Sequence, residues 1–354
     1  MAEQKRDMTI SFVRMLAMIC IVTCHVMQYY NMELAWWFNA GVQMFLCISG
    51  YLYGRKKIPA ILAFYRKNFV KILIDYEIII LSVLAVTVLF TDISLTVPSV
   101  LGALFTVVTI EGGAHLWFIP TILMCYLLTP VYDRVCSRAE EKHAVLFLGS
   151  ILLLFIGNEL VFRHLTGYFN AAWINCYLLG FALRRLQSYR FWYSIAAFKI
   201  ALAGALFISV QIGVRYLQLI PLTDAWRPFY YPMCDYGHVF LGITLFTFGR
   251  VLLSPICKLN PIQRILQLSD RYSYQIYLTH HFFILGPFTL MALTANPYVN
   301  VALILFLTVL TGCGLPQATM PIVHIQMPLW AMAIVLVLLR LALSQKPPLY
   351  LVIN

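Results

Sequence analysis

The chain has 354 residues, of which 62% are hydrophobic and only 11% charged, and its mean hydropathy is +0.83. Soluble domains carry about a quarter charged residues, so the composition excludes a soluble domain and specifies an integral membrane protein. The net charge of +11 is explained by basic loops on one side of the membrane, not by a nucleic-acid partner.

The apolar runs have the length of helical spans, whereas barrel strands alternate over about ten residues. The first, residues 9–30 (TISFVRMLAMICIVTCHVMQYY), is about as long as the hydrocarbon core is thick. It exceeds the apolar core of a signal peptide and no small-residue cleavage site follows, so it is expected to be retained. A second run, about 35–53, ends in SGYLYG and leads into a dense basic segment, Arg55, Lys56, Lys57, Arg66, Lys67 and Lys71. Further runs are predicted at about 72–91, 115–132, 143–162, 168–186, 195–219, 233–253 and 273–294. Residues 92–114 form a longer connection with an apolar middle, VLGALFTVVTI, expected in the interface or re-entrant. A tenth run begins near Val299 and is broken by Pro316, Pro321 and Pro328, leaving one broken span or two short ones. Most inter-span Lys and Arg residues fall before the first run or after the second, fourth, sixth and eighth. Arg163, Arg215 and Arg227 fall on the other side. The expectation is an all-α polytopic bundle of about ten transmembrane helices, one membrane domain over residues 1–354, with a cytoplasmic amino terminus.

Within the first run only Arg14 and His25 are ionisable. They lie about three turns apart on one helical face, separated by roughly 16 Å along the axis. A charge inside a span is costly unless it faces a polar interior, so such residues mark candidate functional sites. Taken singly, Arg14 also reads as a snorkelling anchor and His25 as a structural histidine bonded to a neighbouring helix. Their shared face favours function. The basic segment from Arg55 to Lys71 reads as an anchor against anionic lipid, yet Lys67 and Lys71 share a helical face. A basic face at a helix entrance suits a polyphosphate. Trp117 and Tyr277 are candidates to line a substrate pocket, against the usual reading of span-end aromatics as interfacial anchors. His115 reads as a solvated histidine at a span end. Of His280 and His281, one faces the bundle if their helix is amphipathic. Ser49 stands beside Gly50, which permits close helix approach, and Asp75 and Glu77 read as neutralising Lys71. The nine cysteines show no metal-type CxxC spacing; free buried thiols, no disulfide framework and no metal site are expected.

Four of these stretches carry a family resemblance. Arg14 and His25, with ten residues between them, resemble the Arg-x10-His signature of the acyltransferase 3 family of membrane acyltransferases. FLCISGYLYGRK at 45–56 resembles that family's second-span ending, HLWFIPTILMCYLLTP at 115–130 its fourth-span pattern, and SYQIYLTHH at 273–281 its Ser-Tyr…Tyr-Leu-x-His block. The matches run in order over about residues 10–285. The resemblance implies a bundle of roughly ten helices that moves an acyl group, commonly acetyl from acetyl-CoA, onto an extracytoplasmic hydroxyl. Acceptors of this kind are cell-surface carbohydrates, lipid-linked sugars and related molecules. It also implies that His25 is the catalytic histidine with Arg14 its partner, and that the basic region before the third run, with Arg66, Lys67 and Lys71, helps hold the CoA phosphates. Ser49, Trp117, Tyr277 and His280 stand beside these as the candidate substrate-pocket residues. The implied setting is multi-pass in a cell membrane, the bacterial plasma membrane, with lipid around it. Two departures stand out. Where the family often carries Arg-x-x-Arg, this chain reads RKNFVK, and lysine lacks the guanidinium fork. The proline-broken tail after about 310 does not resemble the family ending.

The chemistry is consistent with the residues themselves. Thioester acyl transfer to an alcohol needs a base for the hydroxyl proton and donors for the developing oxyanion. Histidine suits a reversible proton role near neutral pH, either as general base or as a covalent carrier. Cys24 lies about 100° around the helix from His25, which argues against a Cys–His pair. The competing reading is a permease or exporter with His25 as proton relay. Such transporters more typically show paired intramembrane carboxylates or inverted repeats, and neither is evident here.

Overall fold

The structure, a computed structural model, describes residues 7–314 except 91–95, 107–109, 111, 141–143 and 167–168. Every regular element among the described residues is helical. Asp7 opens α1 (Met8–Tyr29) by accepting the Thr9 backbone N–H at 3.0 Å, satisfying one of the first turn's orphan donors. A short α2 (Ala35–Phe38) precedes α3 (Ala40–Tyr53), and α4 (Ile61–Phe90) follows. The connection expected in the interface contains α5 (Val97–Leu104), started by a reciprocal capping box between Thr96 and Ser99. A 3-10 turn, Ala114–Trp117, leads into α6 (Phe118–Glu140). Next comes α7 (Ala144–Asn158), which continues as a π-helical stretch, Glu159–Thr166. The described chain is completed by α8 (Ala171–Leu186), α9 (Arg190–Arg215), α10 (Arg227–Leu252), α11 (Asn260–Ile284) and α12 (Pro297–Gly314).

Five stretches are long and apolar enough to cross a membrane: Met8–Tyr29, Ile61–Leu89, Ala114–Glu140, Ala144–His164 and Arg190–Arg215. The remaining predicted runs also hold helices, but α3 and α8 have only 14 and 16 residues, short of the about 20 that a span needs. Charged and polar residues interrupt α10 and α11. Two boundaries differ from the sequence expectation. α4 starts at Ile61, about three turns before the apolar run, and carries Arg66, Lys67 and Lys71, in keeping with the helical face that Lys67 and Lys71 share. α11 begins with Pro261 in its first turn and stops before Gly286 and Pro287, a helix-ending pair. The proline-broken tail lies outside the described residues.

α3 is the hub, with α1, α8 and α10 packed around it. Its contact with α8 is backbone to backbone. A Cβ on Gly50 would lie 2.0 Å from the Tyr177 carbonyl oxygen, and one on Gly180 would lie 2.2 Å from that of Cys47. Only glycine permits this approach. α9 packs outside α10 and exposes Phe198, Leu202 and Leu206, a lipid-facing side. On the other flank α11 pairs with α1 and carries α12 on its far side, while α6 bridges α4, α7 and α8. Two bonds fasten α11 to α4: Tyr274 donates to the Ile72 carbonyl at 2.8 Å, and Gln275 to Asp75 at 2.9 Å. Asp75 is thus engaged with α11, rather than placed only to balance Lys71. The eight described cysteine side chains are all free thiols.

Candidate active site

Where α1, α3, α4, α6 and α11 surround one another they leave a cavity of about 1050 Å³. Ligand pockets typically hold roughly 300–1,000 Å³, so this one has room for a large ligand. Six cations line the end nearest Arg14: Arg14 itself, Arg55, Lys56, Lys71, Arg184 and Arg271. Asp75 and Asp270 are the lining carboxylates. Arg55 and Lys56 are exposed, so the cavity reaches the surface there. Lys56, in the loop between α3 and α4, is held below the ordinary lysine value by partial burial and then by the charges of Lys67 and Lys71. Cations that repel one another around a concave surface favour an anionic ligand. Deeper in, the walls turn apolar and aromatic, with Ile21, Phe118, Ile122, Tyr126 and Tyr277.

Arg14 is not free at the cavity wall. Its Nη1 donates to Asp270 Oδ1 at 2.7 Å, and the Ser11 hydroxyl donates to the other oxygen of the same carboxylate at 2.5 Å. The Asp270 side chain is only 2% exposed. An ion pair with one buried member gains when additional hydrogen bonds serve the buried charge, as Ser11 does for Asp270 here. The pair ties α1 to α11 at one end.

At the other end the same two helices meet through imidazoles. The His25 ring lies 5.3 Å from that of His280 and 4.5 Å from that of His281, between centroids. His115 completes the cluster, 5.2 Å from His280 and stacked on His281 at 4.7 Å. His25 is partly exposed, whereas the other three are buried. A glycine turn delivers His115. Gly112 has φ +74°, a conformation that side chains disfavour, and a Cβ there would sit 2.4 Å from Gly286 Cα. The turn therefore folds flat onto the end of α11, and the Gly112 carbonyl accepts from His281 Nδ1. Tyr277 forms the partition: one side lines the cavity, while its ring contacts His115 and His280 and its hydroxyl donates to the His115 carbonyl.

The candidate residues thus separate into groups. Arg14, Ser49, Lys71 and Tyr277 line the cavity, and His25 and His280 form the cluster behind it. Arg66 and Lys67 ride on α4 outside the cavity lining. Trp117 stacks on Trp173 with centroids 3.7 Å apart, also away from the lining. The reading of His115 as solvated is corrected, because its side chain is buried, with 4% exposure. Both His280 and His281 face the bundle, not one of them. Arg55 and Lys56 belong to the basic segment marked in the sequence, whereas Asp270, Arg184 and Arg271 are not among the residues it singles out. For Asp270 the available signal was a carboxylate three residues before SYQIYLTHH, where an Arg14 inside a span needs a partner.

A membrane-length helical bundle around a cation-walled cavity, with titratable rings behind its inner wall, defines a polytopic membrane protein with an internal site. A family model described as an acyltransferase domain matches residues 9–316. The chain belongs to the acyltransferase 3 family and is a membrane acyltransferase. No curated protein and no solved structure matches it.

Proposed function

We propose that this enzyme transfers an acyl group, acetyl in the first instance, from acyl-CoA to a hydroxyl of a cell-surface carbohydrate or lipid-linked sugar. The observation that carries the reading is the cavity. Its cations gather at one end and its apolar walls run from there to Tyr277, one residue layer from the histidine cluster. A CoA thioester has the matching polarity: phosphates at one end, then a long arm ending in the acyl group. In this reading Arg55, Lys56 and Lys71 hold phosphates, and Arg14, fixed by Asp270, lies further along the path. His25 takes the hydroxyl proton as the new ester bond forms. The bundle crosses a bacterial plasma membrane about ten times, with the cationic mouth and the amino terminus in the cytoplasm; basic loops on that side support the orientation. Ser49 and Tyr277 contact the pantetheine arm or the acyl group, and the donor needs no metal.

The test is CoA release from acetyl-CoA by detergent-purified protein. Wild type is expected to turn over. His25→Ala is expected to lose activity by at least about a hundredfold while acetyl-CoA binding is retained. A folded wild type that neither binds nor consumes acetyl-CoA would remove this donor.

A further inference from the structure

The histidine cluster holds more than one base requires, and the protonation of its rings can be read from their partners. A main-chain carbonyl only accepts hydrogen bonds, so a ring nitrogen facing one must carry the proton. His280 Nδ1 faces the carbonyls of Ile276 at 3.0 Å and Tyr277 at 2.8 Å. His281 Nδ1 faces that of Gly112 at 2.6 Å, and His115 turns its Nε2 to that of Leu278 at 3.3 Å. In the neutral rings, Nε2 of His280 and His281 and Nδ1 of His115 therefore hold lone pairs. His25 conforms to the pattern: Nδ1 lies 2.6 Å from Gln28 Oε1, which leaves its Nε2 as the acceptor. Two of these acceptors, His115 Nδ1 and His280 Nε2, are buried and meet no donor. Buried polar atoms without a partner are rare in folded proteins and call for a cause. Two buried acceptors without a donor, beside the lone pairs of His25 and His281, leave the cluster short of a proton. A metal ion would also take lone pairs, but the planes of His115 and His281 are 17° apart in a stack. In-plane lone pairs of stacked rings do not converge on one ion, and no group of three ligands among the described residues has metal-holding geometry.

We propose that the four imidazoles hold one mobile proton in common, entering at His25 and resting on His280 and His115. Its use in turnover rests on the acyl-transfer reading above. The acceptor hydroxyl's proton passes to His25 Nε2 as its oxygen bonds to the acyl carbon, and moves on to the lone pair of His280. When the C–S bond breaks, the proton returns through His25 to the thiolate, giving CoA thiol, so nothing is consumed. The titratable groups facing the rings are one another and the Tyr277 hydroxyl. Of the helices packed on α1 and α11, α2, α3 and α12 carry no charged residue. The others do carry charges: Arg227, Asp235 and Arg250 on α10, Arg66, Lys67, Lys71, Asp75 and Glu77 on α4, Arg14 on α1, and Arg264, Asp270 and Arg271 on α11 itself. The contacts of the four rings are with one another, Tyr277, Phe282, Gln28 and main-chain carbonyls, and with none of these.

Solid-state NMR of histidine-selectively 15N-labelled full-length protein in lipid nanodiscs, from about pH 8 to about pH 5, tests this. The eight histidines are assigned by single replacements. Expected are Nδ1–H on His280 and His281, Nε2–H on His115, and uptake of one proton averaged over at least two rings. In His280→Gln the averaging should collapse onto fewer rings. Turnover should fall about a hundredfold with the KM for acetyl-CoA little changed. A reversed tautomer on His280 or His115, or four rings titrating independently, overturns the proposal. The wild-type spectrum decides alone if the variant does not fold. Because the spectrum needs no turnover, a wild type inert toward acetyl-CoA removes the donor reading while the shared proton still stands or falls on the NMR.

Discussion

Arg14 sits in an apolar bundle, and what makes it tolerable is a carboxylate 256 residues away in the chain. Asp270 neutralises it, and Ser11 adds a bond to the same carboxylate. Removing Asp270 leaves Arg14 without its main partner, and since Arg14 keeps some access to the cavity the loss is about 1–3 kcal/mol. Asp270→Asn is therefore expected to lower the melting temperature in detergent by a few degrees. Ser11→Ala should cost less, since it removes a neutral donor from a charge that keeps its main partner. Equal stability in wild type and Asp270→Asn, read by thermal unfolding, would show the pair to be dispensable. Arg14 and His25 were legible in the sequence because spacing within one helix is fixed by its 3.6-residue turn. Asp270 and His115 were not. Which acid meets Arg14, and whether His115 is wet, depend on how α11 and the Gly112 turn dock, and no local pattern encodes that.

The glycine contact between α3 and α8 sets how closely the central helices approach, and through α3 it sets one wall of the cavity. Either Gly50→Ala or Gly180→Ala pushes a methyl group against a main-chain oxygen, which cannot rotate away. Each is expected to destabilise by at least about 1–3 kcal/mol, as overpacking does. Once one has pried the helices apart, the second costs less, so the double variant should fall short of the sum. Thermal unfolding of the four proteins measures both, and strict additivity would mean that the contacts are independent. Helix existence was well marked by the apolar runs, and Gly50 by the small residue in its motif. Helix ends were marked less well. Hydropathy reports where lipid or core begins, whereas α4 continues two turns and more beyond its apolar stretch, through Arg66, Lys67 and Lys71.

For the whole molecule, composition alone specified a membrane protein, and the ordered motifs indicated the family that residues 9–316 match. The concentration of cations around one cavity was only partly legible, because Arg184 and Arg271 come from distant helices. It has a pH consequence. Lys56 lies below the ordinary lysine value, pushed there by partial burial and then by Lys67 and Lys71. It gives up its charge at a lower pH than a free lysine, so a phosphate held there is released earlier as pH rises. Acetyl-CoA affinity by calorimetry is expected to decline into the alkaline range. In Lys56→Arg the decline should be shallower, because arginine stays charged. Identical slopes would detach Lys56 from the ligand. The pairing of α1 with α11 has another consequence. These helices are pinned twice, by Arg14 and Asp270 at one end and by the imidazoles at the other. A slip of one turn, about 5.4 Å, breaks both pins together. They act as a stationary post, a fixed frame against which any moving part of the reaction has to be measured.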